Sequence, residues 1–205
     1  MRTLLLDIET KPIKAWVWGL WDQNISIGQI IEPTEMLCFG AKWQGSKSKK
    51  QAFSSVYHNG KEDMLKELHD LMEEAEVLVG WNSAGFDHKH IKREFLEAGM
   101  PPTSTVKDLD LMSVVKANFK FPSNKLDYVA QRLGVGSKFK HTGFQLWIDC
   151  INNDPKAWAM MKKYQAQDVV LLDELYDILL PWFPGGSSLS IKDKRDIADL
   201  AEVVQ

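Results

Sequence analysis

The sequence predicts an α/β domain in which a mixed five-stranded sheet is flanked by helices and followed by a C-terminal helical tail. Three apolar runs of strand length come first. Helical periodicity then alternates with two further strand-like runs, and helices alone follow. Strands that come early and then alternate with helices are typical of a mixed sheet covered by helices. With 205 residues, the chain is long enough for one domain with a proper core.

Each element has its own signal along the chain. The run over residues 4–8 is too apolar for a solvent-facing edge and predicts a buried strand. One amphipathic helix is expected to end on Gly99, and a long helix is expected to start at Asp154 and Pro155. The predicted strands are residues 3–9, 35–43, 50–57, 77–81 and 105–109. The predicted helices are residues 61–75, 86–98, 110–118, 125–133, 143–152 and 155–180.

Two parts are expected, a domain over residues 1–180 and a tail over residues 181–205. The tail opens with a turn-rich segment at residues 181–188, which ends the long helix. Residues 191–204 have apolar side chains at helical spacing and predict an amphipathic helix. That helix either packs back on the domain or docks on a partner. Packing on the domain is favoured, because short helices need a core to be stable.

Composition bounds the environment of the protein. No apolar stretch has transmembrane length, and the N-terminus lacks the layout of a signal peptide. We therefore expect no membrane partner and a cytoplasmic location. Cys38 and Cys150 are expected to be buried free thiols, which indicates a reducing compartment. Their spacing matches no metal–thiolate site.

Two carboxylates stand on one face of the first predicted strand. Asp7 and Glu9 are two positions apart, so their side chains project to the same side. Such carboxylates repel each other and are costly to bury unless a cation lies between them. A divalent metal ion is the simplest such cation, and ion pairs with Lys or Arg are the alternative.

Two further carboxylates lie in distinctive settings. Asp87 ends the pattern Asn82-x-x-x-Phe86-Asp87, which is expected roughly 0.02 times by chance in this composition. Asp87 opens a helix, so stabilising the helix N-terminus is the alternative role of its carboxylate. Asn82 is either a turn residue or an amide that faces the substrate. Tyr164 and Asp168 share a helix face, where a carboxylate can bind metal while a phenol holds water. A simple hydrogen-bonded pair is the alternative.

These acidic segments resemble the exonuclease motifs of the DEDD superfamily, the 3′→5′ exonucleases that include polymerase proofreading domains, oligoribonuclease and phage-encoded enzymes. The segments are Asp7-x-Glu9, Asn82-x-x-x-Phe86-Asp87 and Tyr164-x-x-x-Asp168. The resemblance covers about residues 1–180 and implies a ribonuclease H-like fold with two Mg²⁺ or Mn²⁺ ions. It also implies release of nucleoside monophosphates from single-stranded 3′ ends, with DNA weakly preferred to RNA. The implied metal-binding acids are Asp7, Glu9, Asp87 and Asp168.

The resemblance implies further roles and surroundings. Tyr164 matches the residue that orients the attacking water, which places the chain nearest the tyrosine (DEDDy) subtype. An ordinary tyrosine pKa of about 10 makes it a better orienting group than a base. Residues 108–111 resemble a strand-then-helix segment between the second and third motifs, where Asp110 has a supporting role. Likeness to proofreading and phage enzymes implies a replication protein as partner and a bacterial or phage-infected host cell.

The remaining candidate residues are expected to contact nucleic acid. Residues 116–141 carry six Lys or Arg and one acid, a local charge of +5 in a chain of net charge −3. A solvated loop is the alternative for residues 136–142, and Lys47, Lys49 and Lys50 are interpreted as a solubilising run. The predicted substrate-binding residues are Thr10, Asn82, Phe86, Lys125, Lys138 and Lys140.

Aromatic residues offer a second kind of contact. The segment containing Trp16, Trp18 and Trp21 departs from compact proofreading domains and resembles an insertion in some phage-encoded members. Exposed indoles could stack on unpaired bases, but packing in the core or a loop is favoured because Trp is usually well buried. Phe119 and Phe121 offer the same two alternatives.

Two other functions remain open at this point. An endonuclease would keep the fold and the metals but cut internally, and the spacing of Tyr164 and Asp168 speaks against it. A nucleic-acid-binding module without activity is the other, and the presence of all four acids together with the tyrosine speaks against that.

Overall fold

The computed structural model describes residues 2–46, 51–104 and 107–183. Its strands are β1 (Thr3–Thr10), β2 (Lys14–Ala15), β3 (Ile30–Glu32), β4 (Met36–Trp43), β5 (Ala52–Ser55), β6 (Val77–Gly80) and β7 (Lys107–Asp110). Its α-helices are α1 (Lys61–Glu74), α2 (Asp87–Glu97), α3 (Leu111–Asn118), α4 (Leu126–Arg132), α5 (Gln145–Ile151) and α6 (Pro155–Leu179). Lys47, Lys49, Lys50 and the predicted C-terminal helix lie outside the described residues.

The main sheet has five strands in the order β5-β4-β1-β6-β7. On one side of the central strand β1, β4 and β5 follow in antiparallel pairing, whereas on the other side β6 and β7 follow in parallel pairing. The predicted mixed sheet flanked by helices is confirmed. Each predicted helix of the domain is present, with ends shifted by at most two residues.

The central strand divides the core into two layers. Leu4, Leu6 and Ile8 face one side and pack with α1 and α2, through residues such as Leu68 and Ile91. Side chains alternate along a strand, so Leu5, Asp7 and Glu9 face the other side. There Leu5 packs with residues of α3, α4 and α6. Both acidic residues of β1 therefore face the layer that contains α6.

The helix ends follow the sequence signals. Gly99 follows α2 with a φ of 70°, the left-handed conformation that glycine adopts without strain, and the amide of Met100 donates to the carbonyl of Phe95. At the start of α6 the carboxylate of Asp154 accepts from the amide of Lys156 at 2.8 Å.

The two cysteines are buried and unpaired, as expected. Cys38 on β4 and Cys150 on α5 belong to one apolar cluster. Burial raises the pKa of the Cys38 thiol well above its ordinary value and that of Cys150 to about 12. Both side chains therefore act as small apolar groups of the core.

A second, two-stranded sheet of β2 and β3 lies between β1 and β4 in the chain, and the sequence did not predict it. Strands of two and three residues are too short to show a period. The side chains of Trp16, Trp18 and Trp21 are 74%, 98% and 83% exposed, so the favoured expectation that they pack in a core or loop was wrong. Polar contacts hold this segment instead, as described below.

The rings of Phe119 and Phe121 are not fully available for stacking on bases. Both are half-buried against the apolar cluster that contains α3, α4 and α6. The ring of Phe119 contacts those of Phe121 and Trp182, with centroids 5.9 and 5.0 Å apart. Packing is therefore the role that the structure supports for this pair.

Candidate active site

The site is built on the second half of β1. Pairing of β1 with β6 extends to Leu5 and Val79, and β6 then ends at Gly80, so Asp7 and Glu9 lie beyond this neighbour. On the other side, Asp7 and Glu9 pair with Gly40 and Cys38 of β4. Small residues beside the carboxylates leave room above the sheet for α6.

Helix α6 approaches the sheet closely over Gly40. A Cβ on Gly40 would lie 2.6 Å from Cγ of Gln165 and 3.2 Å from Cγ2 of Val169, so a larger residue would push the helix away. This approach places Asp168, which is 1% exposed, beside the carboxylates of β1. One oxygen each from Asp7, Glu9 and Asp168 lies within 4.8 Å of the others.

Asp87 reaches the same place from the other side of β1. Its Oδ1 accepts from the backbone amide of Ile8 at 3.2 Å, on the residue between Asp7 and Glu9. Asp87 is the first residue of α2 and is 4% exposed, whereas the N-cap residue Phe86 provides no side-chain cap. The carboxylate therefore contacts the strand, although the start of the helix also favours its charge.

A tight turn delivers Asp87. Asn82 has a φ of 64°, and its carbonyl accepts from the amides of Gly85 and Phe86 at 3.1 and 2.9 Å. The backbone amide of Asn82 donates to Oδ1 of Asp110 at 2.8 Å, and the side chain of Asp110 also caps α3. The backbone of Asn82 thus forms the turn, and Asp110 joins this turn to the start of α3.

The four carboxylates destabilise one another in their ionised form. Burial is the largest cause and mutual repulsion adds to it, so the pKa of Asp7 lies well above its ordinary value. Burial also raises the pKa of Glu9 to about 7, that of Asp87 to about 6, and that of Asp168 above its ordinary range. Such a site favours either protons or bound cations.

Lys138 already supplies one positive charge. Its Nζ donates to Oδ2 of Asp168 at 2.7 Å and to Oη of Tyr164 at 2.9 Å. Burial opposes the ammonium charge, but Asp168 and Tyr164 outweigh burial and the pKa of Lys138 is raised. Within the described residues, Asp7 and Glu9 form no ion pair with Lys or Arg. The ion pairs expected as the alternative for Asp7 and Glu9 are therefore not formed by those described residues, and Asp168 is the acid of the site that pairs with a lysine.

The carboxylates also fit divalent cations. Carboxylate oxygens are hard ligands of the kind that Mg²⁺ and Mn²⁺ prefer. Oδ1 of Asp168 is buried and has no hydrogen-bond partner among the described residues, which leaves it available as a ligand. The convergence of the acids and this free oxygen match a site for hard cations.

Two residues at the site were missed from the sequence. Gln165 is fully buried, and its Nε2 donates to the carbonyl and to Oδ2 of Asp7 at 2.6 and 2.7 Å. Trp147 on α5 donates from Nε1 to Oε2 of Glu9 at 3.2 Å. Gln165 shares the buried face of α6 with Met161 and Asp168, and a polar residue there is the signal that could have revealed it.

Aromatic rings form one wall of the site. The ring of Tyr164 lies 4.9 Å from that of His141 and 5.9 Å from that of Trp147, measured between centroids. Burial raises the pKa of Tyr164 above its ordinary value, and the nearby acids Glu9 and Asp168 add to this. The phenol is therefore protonated at neutral pH.

The other predicted substrate contacts are scattered around this centre. Thr10 is half-buried next to Glu9 at the end of β1, and Phe86 is 39% exposed with its ring 4.5 Å from that of His90. Lys140 is exposed on the segment that carries Lys138. Lys125 is exposed before α4, without a contact to the carboxylates within the described residues.

Sheet order and carboxylate placement together define an α/β domain of the ribonuclease H-like class. The chain belongs to the RNase H superfamily, because a model of that superfamily matches residues 31–180. The matched range includes Asp87 and Asp168 and begins after Asp7 and Glu9. A comparison with curated proteins gave no match.

The fold is also similar to a solved structure. A family B DNA polymerase from the hyperthermophilic archaeon Pyrobaculum calidifontis aligns with a TM-score of 0.67 and 18% identity. The alignment covers 88% of this chain and 24% of the polymerase, so this chain spans about a quarter of that protein. Among the described residues, no helix has the length and apolar character needed to cross a bilayer.

Proposed function

We propose that this protein is a metal-dependent 3′→5′ exonuclease that releases nucleoside monophosphates from single-stranded nucleic acid, with DNA as the preferred substrate. The observation that carries the proposal is the convergence of Asp7 and Glu9 of the central strand with Asp168 of α6, one oxygen of each lying within 4.8 Å of the others. Membership of the RNase H superfamily supports a nuclease. The likeness to a protein described as a DNA polymerase favours DNA.

The residues that would hold two Mg²⁺ or Mn²⁺ ions are Asp7, Glu9, Asp87 and Asp168. When bound, such ions supply the Lewis acidity that phosphodiester hydrolysis requires. The chain contributes oxygen ligands whose mutual repulsion is relieved by a cation. Gln165 and Trp147 hold Asp7 and Glu9 in place through hydrogen bonds, which is how neighbouring groups usually orient metal ligands.

Tyr164 acts in this proposal by orienting the attacking water. A phenol with a raised pKa is a poor base at neutral pH, but it can donate or accept a hydrogen bond. Lys138 donates to Oη and fixes the position of the phenol. Lys138 also brings a positive charge to the place where the substrate phosphate approaches the carboxylates, which supports its assignment as a substrate-binding residue.

Digestion of a 5′-labelled single strand tests the proposal. In the presence of Mg²⁺ or Mn²⁺ we expect a ladder of products shortened from the 3′ end, and chelation by EDTA should stop it. Asp7→Ala and Asp168→Ala should abolish the ladder because each removes a proposed metal ligand. Asp70→Ala is the matched control, because Asp70 is exposed on α1, a helix that packs on the opposite layer of the sheet.

The pattern of products separates the alternatives. A single internal cut would indicate an endonuclease, and a mobility shift without cleavage would indicate a binding module. Parallel digestion of DNA and RNA oligomers of one sequence tests the proposed preference, since the proteins that discriminate them contact the 2′ position. Tyr164→Phe should slow turnover by up to about 100-fold while the substrate still binds.

A further inference from the structure

The segment between β1 and β4 presents its apolar side chains to solvent. This aromatic ribbon, residues 11–35, includes β2 and β3. The indoles of Trp16 and Trp18 are 74% and 98% exposed, and that of Trp21 is 83% exposed. Leu20 and Ile27 are also nearly fully exposed. Several large apolar side chains exposed on one short segment are a feature typical of binding sites.

Polar groups hold the ribbon in shape, and the indoles are not used for this. The amide of Trp16 donates to the carbonyl of Gln29, and Nε2 of Gln29 donates back to the carbonyl of Trp16, both at 2.9 Å. Nε2 of Gln23 donates to the carbonyl of Trp21 at 2.6 Å. Backbone and amide side-chain hydrogen bonds thus fix the segment, and among the described residues the three indole rings have no ring or polar partner, so they can face a ligand.

The root of the ribbon is anchored beside the site. Thr34 donates to the carbonyl of Lys11 at 2.7 Å, and Nζ of Lys11 lies 2.8 Å from Oε2 of Glu35. The ribbon begins directly after Glu9 and Thr10 at the end of β1, so it leaves the sheet at the same end of this central strand as the carboxylates. Trp16 follows Glu9 by seven residues, a separation of at most roughly 25 Å for an extended chain.

The aromatic ribbon has few charged residues beyond its root, and this favours a ligand that offers flat apolar faces. The two acids at the ribbon's root, Glu32 and Glu35, are paired with lysines. Between Ala15 and Ile31 the single charged residue is Asp22. Unpaired bases present such faces, and aromatic side chains bind them with little dependence on sequence.

We infer that the aromatic ribbon binds the unpaired bases of the nucleic acid strand whose 3′ end enters the carboxylate site, by stacking on Trp16, Trp18 and Trp21. This inference rests on the proposed function for the identity of the strand. It adds a second binding element, which holds the strand upstream of its cleaved end. A strand of about ten nucleotides, at roughly 3.4 Å or more each, spans both places.

Fluorescence anisotropy of a labelled strand measures this binding without cleavage and does not depend on the tryptophans that the variants remove. The full chain is titrated in EDTA into labelled oligo(dT) or oligo(U) of sixteen nucleotides, and we expect the anisotropy of both to rise. Replacing all three residues by Ala should weaken binding by roughly 100-fold or more, because each stacked base contributes about 5-fold or more. Replacing them by Phe should restore a large part of the affinity.

Controls keep the result specific. Trp182→Ala removes another exposed indole, which packs against Phe119 beside the apolar cluster of α3, α4 and α6, and should leave the affinity for the strand unchanged. The triple Ala variant should melt at the same temperature as the wild-type protein, since the replaced rings are exposed. Trp18→Ala alone, at the most exposed position, should weaken binding with no effect on stability.

Two results would overturn the inference. One is equal affinity of the wild-type protein and the triple Ala variant for both oligonucleotides. Another is a wild-type dimer that becomes monomeric in the triple variant while strand binding stays the same, which would make a second copy of the chain the ligand. If the strand binds through the ribbon but Mg²⁺ produces no cleavage, the ribbon assignment stands and the proposed exonuclease activity fails.

Discussion

At the scale of single residues, the site depends on groups that bind no metal themselves. Gln165 reaches across from α6 to Asp7, and Lys138 places its ammonium between Asp168 and Tyr164. The hydrogen bond from Gln165 orients Asp7, a proposed metal ligand, whereas the ammonium of Lys138 occupies an oxygen of Asp168, another proposed ligand. The two residues should therefore affect cation binding in opposite directions.

Gln165→Leu should weaken Mn²⁺ binding. Leucine keeps the buried volume but cannot donate to Asp7, and loss of such an orienting contact typically costs about 10- to 100-fold in metal affinity or activity. The measurement is the Mn²⁺ concentration that gives half-maximal cleavage. Gln131→Leu is the control, since Gln131 bonds Asp127 on the exposed side of α4. Equal Mn²⁺ requirements in both variants would contradict the role of Gln165.

Lys138→Met should strengthen Mn²⁺ binding, because the competing ammonium leaves Asp168. Calorimetric titration of Mn²⁺ into the variant should give a lower Kd than the wild-type protein gives. Lys140→Met is the matched control, two positions away and exposed. A Kd that rises in the Lys138 variant would show that the ammonium supports cation binding.

At the scale of elements, the close contact of α6 with the sheet brings the third part of the site together. Gly40→Ala should destabilise the protein by about 1–3 kcal/mol, because its Cβ would overlap Gln165 and Val169. The same change should weaken Mn²⁺ binding as Asp168 moves away from β1. Urea denaturation measures the first effect. Gly28→Ala is the control, because a Cβ there meets nothing within 4 Å.

The sequence predicted the elements with a clear period and missed those without one. The helices and the five main strands follow from apolar spacing, and the positions of Asp7, Glu9, Asp87 and Asp168 follow from the resemblance. Gln165 was missed because a single glutamine carries no pattern of its own. The exposure of Trp18 was missed because burial is the usual state of tryptophan, and only the tertiary structure shows that none of the apolar clusters in the described part of the chain covers it.

At the scale of the whole molecule, cations at the site would connect β1, α2 and α6 and stabilise the fold. The pKa values of Glu9 and Asp87 are about 7 and 6, above their ordinary values of 4.5 and 3.8. A carboxyl group with a raised pKa stabilises the folded state at low pH, and this contribution is lost as pH rises. Without metal, this contribution should therefore fall between about pH 4 and pH 7.

Divalent cations should reverse this loss, because they bind the ionised carboxylates that protons leave. We expect Mg²⁺ to raise Tm more at pH 8 than at pH 5, and Asp7→Asn to reduce the increase. Thermal melting with Mg²⁺ and with EDTA across this range is the measurement. A rise in Tm that is the same at both pH values would contradict the proposed linkage.

A crystal structure of the wild-type protein soaked in Mn²⁺, read by anomalous diffraction, shows directly whether the carboxylates bind cations. We expect Mn²⁺ within coordination distance of Asp7, Glu9 and Asp168, with Lys138 displaced from Asp168. At saturating Mn²⁺, a carboxylate cluster without an anomalous peak and still bonded to Lys138 would contradict this expectation.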